Sequence, residues 1–261
     1  VLQNRILEFL EDEPGKVAVL VENLDGNRLV EIEADRVFPS ASTIKLAIML
    51  TLFNEVQNGN LDPEDRVSLK DFPKTGGDGI LKELSPEHQF SYRELCTLMI
   101  IVSDNLATNI LIDTLGMERI NQHITSLSLQ ETHLGRYMMD GEARKRGNDN
   151  FITAAEISIM LKHILYDKNI EQQYKDEMLD ILKRQQVRGR LDRYLPEETV
   201  IAHKTGDLDF LEHDAGIVYL DDGKSYLIIV LTAGMSSNEH GRETIACISK
   251  MAYDYFMNES N

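Results

Sequence analysis

Leu2, Ile6, Phe9 and Leu10 fall on one helical face and predict a short amphipathic helix over 2–11. The pattern then changes. Residues 17–21 and 29–32 read as two strands around Asp25-Gly26, a strong turn dipeptide, and together predict a β-hairpin. From Ser42 onward the period is helical, clearest over 44–56, 91–102, 105–115 and 154–165. The stretches 68–88 and 131–152 lack a period and carry Gly, Asp and Asn, so they read as long surface loops. Strands resume at 200–204, 215–220 and 226–231, the last two joined by an Asp221-Asp222-Gly223 turn. A final helix over 239–257 places Ile248, Ala252, Tyr255 and Phe256 at helical spacing.

This order predicts an α+β (α/β) fold: a five-stranded antiparallel sheet covered by the two terminal helices, with a helical block inserted between its strands. A single domain over 1–261 is expected, with an α/β lobe from 1–41 and 198–261 and an all-helical lobe from 42–197.

With 261 residues, 42% of them hydrophobic, the chain can bury a full core. The apolar runs at 46–50 and 226–231 are far too short to span a bilayer, so no membrane insertion is expected. A formal charge of −17 repels phosphate backbones and anionic lipid, so no nucleic acid partner is expected, though charge does not identify a substrate; a monomer with a small-molecule substrate is expected. No basic segment followed by an apolar one opens the sequence, so a secretory signal is not expected within it, and the compartment stays open. Cys96 and Cys247 sit in apolar helical patterns and read as buried thiols. The seven histidines show no paired ligand spacing, so neither a metal nor another cofactor is expected.

Three short motifs carry candidate chemistry. Ser42-Thr43-Ile44-Lys45 stands at the entry of a helix, where Ser42 and Lys45 are one turn apart. A serine hydroxyl becomes a useful nucleophile when a nearby base takes its proton, and a lysine of lowered pKa can be that base. A solvated lysine beside a helix-capping serine is the plainer account of this motif alone. Ser103-Asp104-Asn105 interrupts one apolar helix and opens the next. It reads as a capping turn, or as a proton relay through Ser103 with Asn105 holding a substrate amide. Lys-Thr-Gly occurs twice. Lys74-Thr75-Gly76 lies in a loop, whereas Lys204-Thr205-Gly206 ends a strand whose edge can hold an acyl group and offer a backbone N–H to an oxyanion. The strand copy is chosen, and alternation turns His203 away from Lys204.

The conjunction decides. S-x-x-K, S-D-N and K-T-G occur in that order with gaps of 61 and 101 residues, the motif set of class A β-lactamases and penicillin-binding proteins. The sequence resembles these penicillin-recognising serine hydrolases over essentially its whole length, including Phe38-Pro39, Arg93-Glu94-Leu95-Cys96, Asn109 and Leu111. The resemblance implies a β-lactamase/transpeptidase-like fold, acylation at Ser42, and an oxyanion hole from the backbone amides of Ser42 and Asp207. It implies export if a leader was removed.

One departure concerns turnover. The class A deacylating glutamate lies in an E-x-x-L-N segment after the S-D-N helix, but here Leu134-Gly135-Arg136-Tyr137-Met138-Met139-Asp140 occupies that place. If Arg136 matches the loop's anchoring arginine, Met138 stands where the glutamate would be, and Asn150 aligns with the anchor's carboxylate partner, beside Asp149. Asp140 and Glu142 are the fallback bases, though solvated loop charges are the plainer account of both. A second departure is Gly76-Gly77-Asp78-Gly79-Ile80, which replaces an aromatic-bearing segment. The expected function is a serine acyl-hydrolase acting on β-lactams, D-amino-acid peptides or small esters, with slow deacylation. The alternatives are a penicillin-binding sensor that stays acylated and a scaffold without chemistry.

Overall fold

The structure, a computed structural model, describes residues 1–221 and 223–259. Asp222 of the expected turn, and Ser260 and Asn261 of the expected domain, lie outside the described residues. The chain opens with α1 (Leu2–Leu10), β1 (Lys16–Asn23), β2 (Arg28–Ile32), β3 (Phe38–Pro39) and α2 (Lys45–Gln57). It continues through β4 (Arg66–Ser68), β5 (Gln89–Ser91), α3 (Tyr92–Ile101), α4 (Asn105–Leu115), α5 (Met117–Ser126) and α6 (Gly141–Lys145). β6 (Phe151–Ile152), α7 (Ala154–Tyr166) and α8 (Gln172–Lys183) follow, and β7 (Val200–Leu208), β8 (Leu211–Tyr219), β9 (Ser225–Ala233) and α9 (Asn238–Glu259) complete it.

Two compact units emerge. The first takes in Val1–Thr43, Ile152–Leu161 and the chain from Arg188 on; the second takes in Ile44–Phe151 and Lys162–Val187. The first holds an antiparallel five-stranded sheet in the order β2-β1-β9-β8-β7. Val17, Val19 and Val21 alternate along β1 and meet Ile228 and Val230 of β9 in a core with Leu2, Ile6, Ile245, Ile248 and Phe256 from α1 and α9. Ala18 and Leu20, on the opposite face, are equally buried, which explains the near-continuous apolar run of these strands. Tyr226 stacks on Phe256 in this core, ring centroids 4.2 Å apart, and its hydroxyl has no hydrogen-bond partner among the described residues.

β7 runs to Leu208, and β8 begins at Leu211 rather than at 215 as the pattern predicts. Glu212, His213 and Asp214 interrupt the apolar alternation but are fully buried, each satisfied by polar partners.

In the second unit, α2 is buried almost all round, from Lys45 to Val56. α3 starts in a capping box, Ser91 accepting from the Glu94 amide while the Glu94 carboxylate takes the Ser91 amide. The two stretches expected as long surface loops are tied down. β4 pairs with β5 across the base of the first, and Leu69 and Leu81 within it are buried. The second is closed by a bridge between His133 and Phe151 and contains α6. Both contain buried apolar anchors too sparse to generate a period.

Candidate active site

The first unit carries Ser42 in a 3-10 turn, Ala41–Ile44. Ala41 has φ +45°, a left-handed conformation unusual for a residue with a side chain. The turn is closed by Thr43, whose amide and hydroxyl both donate to the Ser40 carbonyl, at 3.1 and 2.6 Å. Ser42 itself is half-buried. β7 passes directly against this turn. A Cβ on Gly206 would lie 2.9 Å from the Ser42 nitrogen and 3.2 Å from that of Thr43, so only glycine lets the strand come so close. Lys204 is fully buried, and its Nζ donates to the Thr205 carbonyl at 2.7 Å.

His213 holds the segment leading into the turn. Its Nε2 donates to the Pro39 carbonyl at 2.9 Å, and its ring meets Phe38 edge-on. Burial pulls its pKa down to about 4, so the ring is neutral at pH 7. His203 points elsewhere: its Nδ1 lies 2.8 Å from a carboxylate oxygen of Asp214, which also accepts the Leu191 amide.

In the second unit, Lys45 opens α2 with no exposed surface. Its Nζ lies 2.8 Å from the Ser103 carbonyl, 3.1 Å from the Ser103 hydroxyl and 3.0 Å from Oδ1 of Asn105. Ser103 has φ +55°, a second left-handed residue that carries a candidate hydroxyl. Asp104 caps α4 through the Ala107 amide and takes the Ile80 and Leu81 amides at 2.7 and 2.9 Å. Asn105 donates to the carbonyls of Asp78 and Gly76. The glycine-rich stretch is thereby clamped to the Ser-Asp-Asn turn, and a Cβ at Gly79 would strike the Asp104 carboxylate. Lys74 is exposed, while Thr75 is buried and accepts from Asn109.

The loop after α5 is anchored by Arg136, which pairs with Asp149 at 2.7 Å. Asn150, aligned with the anchor's partner in the sequence, instead accepts the amides of Gly135 and Arg136. The Met138 side chain is buried, 8% exposed. Asp140 caps α6 through the Ala143 amide, and Glu142 is exposed and paired with Lys145. Cys96 is buried and its thiol pushed up to about 12, whereas Cys247 is only partly buried, against the expectation for it, with its thiol raised to about 11 by burial and Glu243.

The sequence reading missed the polar residues that support these motifs. Arg190 donates to Glu212 and Asp207, and Arg242 and Asn238 complete the Glu212 carboxylate. Their signal was Glu212-His213-Asp214 between apolar strand residues, a run that must be buried and paired if the strand is real. Among the described residues, no group of three or more His, Cys, Asp or Glu is placed to hold a metal ion, and no helix is long and apolar enough to cross a membrane.

The α+β fold and the order of its motifs are those of a serine hydrolase of the penicillin-recognising class. A family model described as the beta-lactamase enzyme family matches residues 1–256, and the chain belongs to that family. It is similar to a β-lactamase of Bacteroides uniformis, 29% identical over 97% of this chain and 90% of the relative. Among solved structures it is similar to a single-site mutant of PBP-A captured as an acyl-enzyme complex with penicillin G. That likeness has a TM-score of 0.89 and 28% identity over 98% of this chain and 96% of the other. A β-lactamase from Sphaerobacter thermophilus matches with a TM-score of 0.88 and 27% identity, covering 97% and 96% of the two chains.

Proposed function

We propose that the chain is a serine acyl-hydrolase that takes the acyl group of a β-lactam onto Ser42 and releases it slowly. The observation that carries the reading is Lys45, fully buried with its Nζ within 3.1 Å of the Ser103 hydroxyl. A lysine held against a hydroxyl in this way is placed to pass a proton to it.

Ser42 Oγ attacks the acyl carbonyl as Lys45, three residues along the chain, takes its proton. The negative charge that develops on the carbonyl oxygen is met by the backbone N–H groups of Ser42 and Asp207. Ser103 gives its proton to the leaving nitrogen and is reprotonated by Lys45, so the proton balance closes without an outside acid. Asn105 orients the substrate amide, and Lys204, Thr205 and Gly206 form the edge that receives the rest of the substrate. The strand copy of Lys-Thr-Gly is preferred because Gly206 lies against the Ser42 amide.

Deacylation requires a base for water. Met138 supplies none, Asp140 is engaged as a helix cap and Glu142 is ion-paired in solvent, which supports a long-lived acyl-enzyme. At the limit of that slowness the protein is a penicillin-binding sensor that stays acylated. D-amino-acid peptides and small esters are further acyl donors for the same chemistry.

Mass spectrometry after incubation with a penicillin is expected to find one adduct, absent from Ser42→Ala. Turnover of a chromogenic β-lactam and of a p-nitrophenyl ester is expected to begin with a burst, faster afterwards for the ester. An adduct persisting in Ser42→Ala overturns the nucleophile; burst-free rapid penicillin hydrolysis overturns slow deacylation.

A further inference from the structure

A cavity of about 330 Å³ opens within the second unit, between α2, α5 and the link from α7 to α8. It meets α2 from Leu50 onward, about 7.5 Å along the helix axis from Lys45. Leu50, Phe53, Leu127 and Ile170 give it apolar walls. Its polar lining is rich in acceptors. The one hydrogen of the Thr51 hydroxyl goes to the Ala47 carbonyl at 2.8 Å, so His123 Nδ1, 3.0 Å from that hydroxyl, is the donor of the pair. His163 Nδ1 lies 2.8 Å from the Asp167 carboxylate, which only accepts, so it too carries a hydrogen. Both rings line the cavity, and neither Nε2 has a hydrogen-bond partner among the described residues. Burial, opposed by Glu55 and reinforced by His163, lowers the His123 pKa, so at pH 7 this ring is neutral and its Nε2 offers a lone pair. Burial works against the Asp167 charge, but bonds from the Asn169 amide and His163 hold its pKa below the ordinary value. Lys175 gives its ammonium to the Asp167 backbone carbonyl, at 3.2 Å, and not to the carboxylate. Among the described residues, no lysine or arginine lines the cavity.

We propose that this cavity binds a small organic cation, a primary ammonium group carried on a short apolar body. The ammonium hydrogens answer the free ring nitrogens and the Asp167 charge, while the body packs on Phe53 and its apolar neighbours. The face of the Phe53 ring favours a cation as well. A carboxylate of the same size would face the Asp167 charge and two lone pairs. A neutral alcohol brings one hydrogen to several acceptors. The net charge of −17 on the chain draws cations and repels anions over a longer range. Nothing in this site depends on acylation at Ser42.

The probe is benzylamine, with benzyl alcohol and benzoate as its neutral and anionic counterparts, titrated into the full chain at pH 7.5 and followed by NMR of the histidine rings. His123→Gln and His163→Gln identify the two resonances by their loss. Benzylamine is expected to shift both resonances saturably, with a Kd on the order of a millimolar for so small a ligand. Asp167→Asn, which keeps the side-chain shape, is expected to weaken benzylamine about tenfold and benzyl alcohol less than about twofold. Ser42→Ala is expected to bind benzylamine as the native protein does, which separates this cavity from the acylation chemistry. No saturable shift with benzylamine, equal shifts with benzoate, or loss of binding in Ser42→Ala overturns the assignment. An Asp167→Asn effect that is nil, or that the alcohol shares, overturns it too.

Discussion

Asn109 grips Met138 by both of its backbone groups, its Oδ1 accepting the Met138 N–H at 2.8 Å and its Nδ2 donating to the Met138 carbonyl at 3.2 Å. The position is held firmly, and it carries a thioether where the sequence resemblance to class A enzymes would lead one to expect a carboxylate. Met138→Glu is expected to speed loss of a penicillin adduct about a hundredfold to ten-thousandfold, the usual contribution of a positioned base. The rate of adduct formation should change little. A mass-spectrometric time course reads both steps, and an unchanged adduct lifetime would remove the base from this position.

The two Lys-Thr-Gly copies should separate cleanly. Lys204 is buried beside the Gly206–Ser42 approach, and Lys74 is exposed in the clamped loop. Lys204→Ala is expected to lower the acylation rate by about a hundredfold or more, the scale of losing a buried charge that acts on the transition state. Lys74→Ala should stay within about twofold, as surface substitutions do. Matching losses in stopped-flow acylation would contradict the choice.

His213 should set part of the acid limit of stability. Burial lowers its folded pKa from 6.5 to about 4, so below pH 6.5 the unfolded chain takes up a proton that the native one refuses. Stability from this group is present above pH 6.5, falls as the pH drops toward 4, and totals about 3 kcal/mol at 1.4 kcal/mol per unit. Denaturant unfolding at pH 7.5, 5.5 and 4 should give His213→Asn a shallower decline than the native protein. Parallel declines would rule this origin out.

Tyr226→Phe is expected to raise Tm by a few degrees. The phenol oxygen is buried without a partner among the described residues, a cost of about 1–3 kcal/mol, and the stack on Phe256 needs only the ring. Calorimetry decides; a lower Tm would mean that the hydroxyl is stabilising.

The elements with a strong pattern were legible: β1 and β2 from apolar runs flanking a turn dipeptide, β9 from its apolar run, and α2, α4 and α7 from their apolar periods. α5 and α8 carry two and four buried residues on otherwise polar helices, too little to stand out. The start of β8 was hidden because burial there falls on Glu212, His213 and Asp214, whose partners Arg190, Pro39 and His203 are remote in sequence. The motif residues themselves were readable as an ordered set. What the sequence could not supply was which carboxylate meets Arg136, or that Asp104 fastens the glycine-rich stretch, since both are settled by packing.

The pairing of β1 with β9 sets the order in which the chain can mature. Lys16 meets Ala233 and Asn23 meets Tyr226, so a strand made among the first residues waits for one made near the last. Until β9 leaves the ribosome, one edge of β1 stays unpaired and its Val17–Val21 run has no sheet to join on that side. Low contact locality of this kind slows folding and leaves the nascent chain sticky. A premature stop between β8 and β9 therefore cannot leave a shortened but working sheet: it leaves the hairpins β1–β2 and β7–β8 without the strand that joins them, and β7, against which the turn that bears Ser42 rests, is cut off from the strands that lead into that turn.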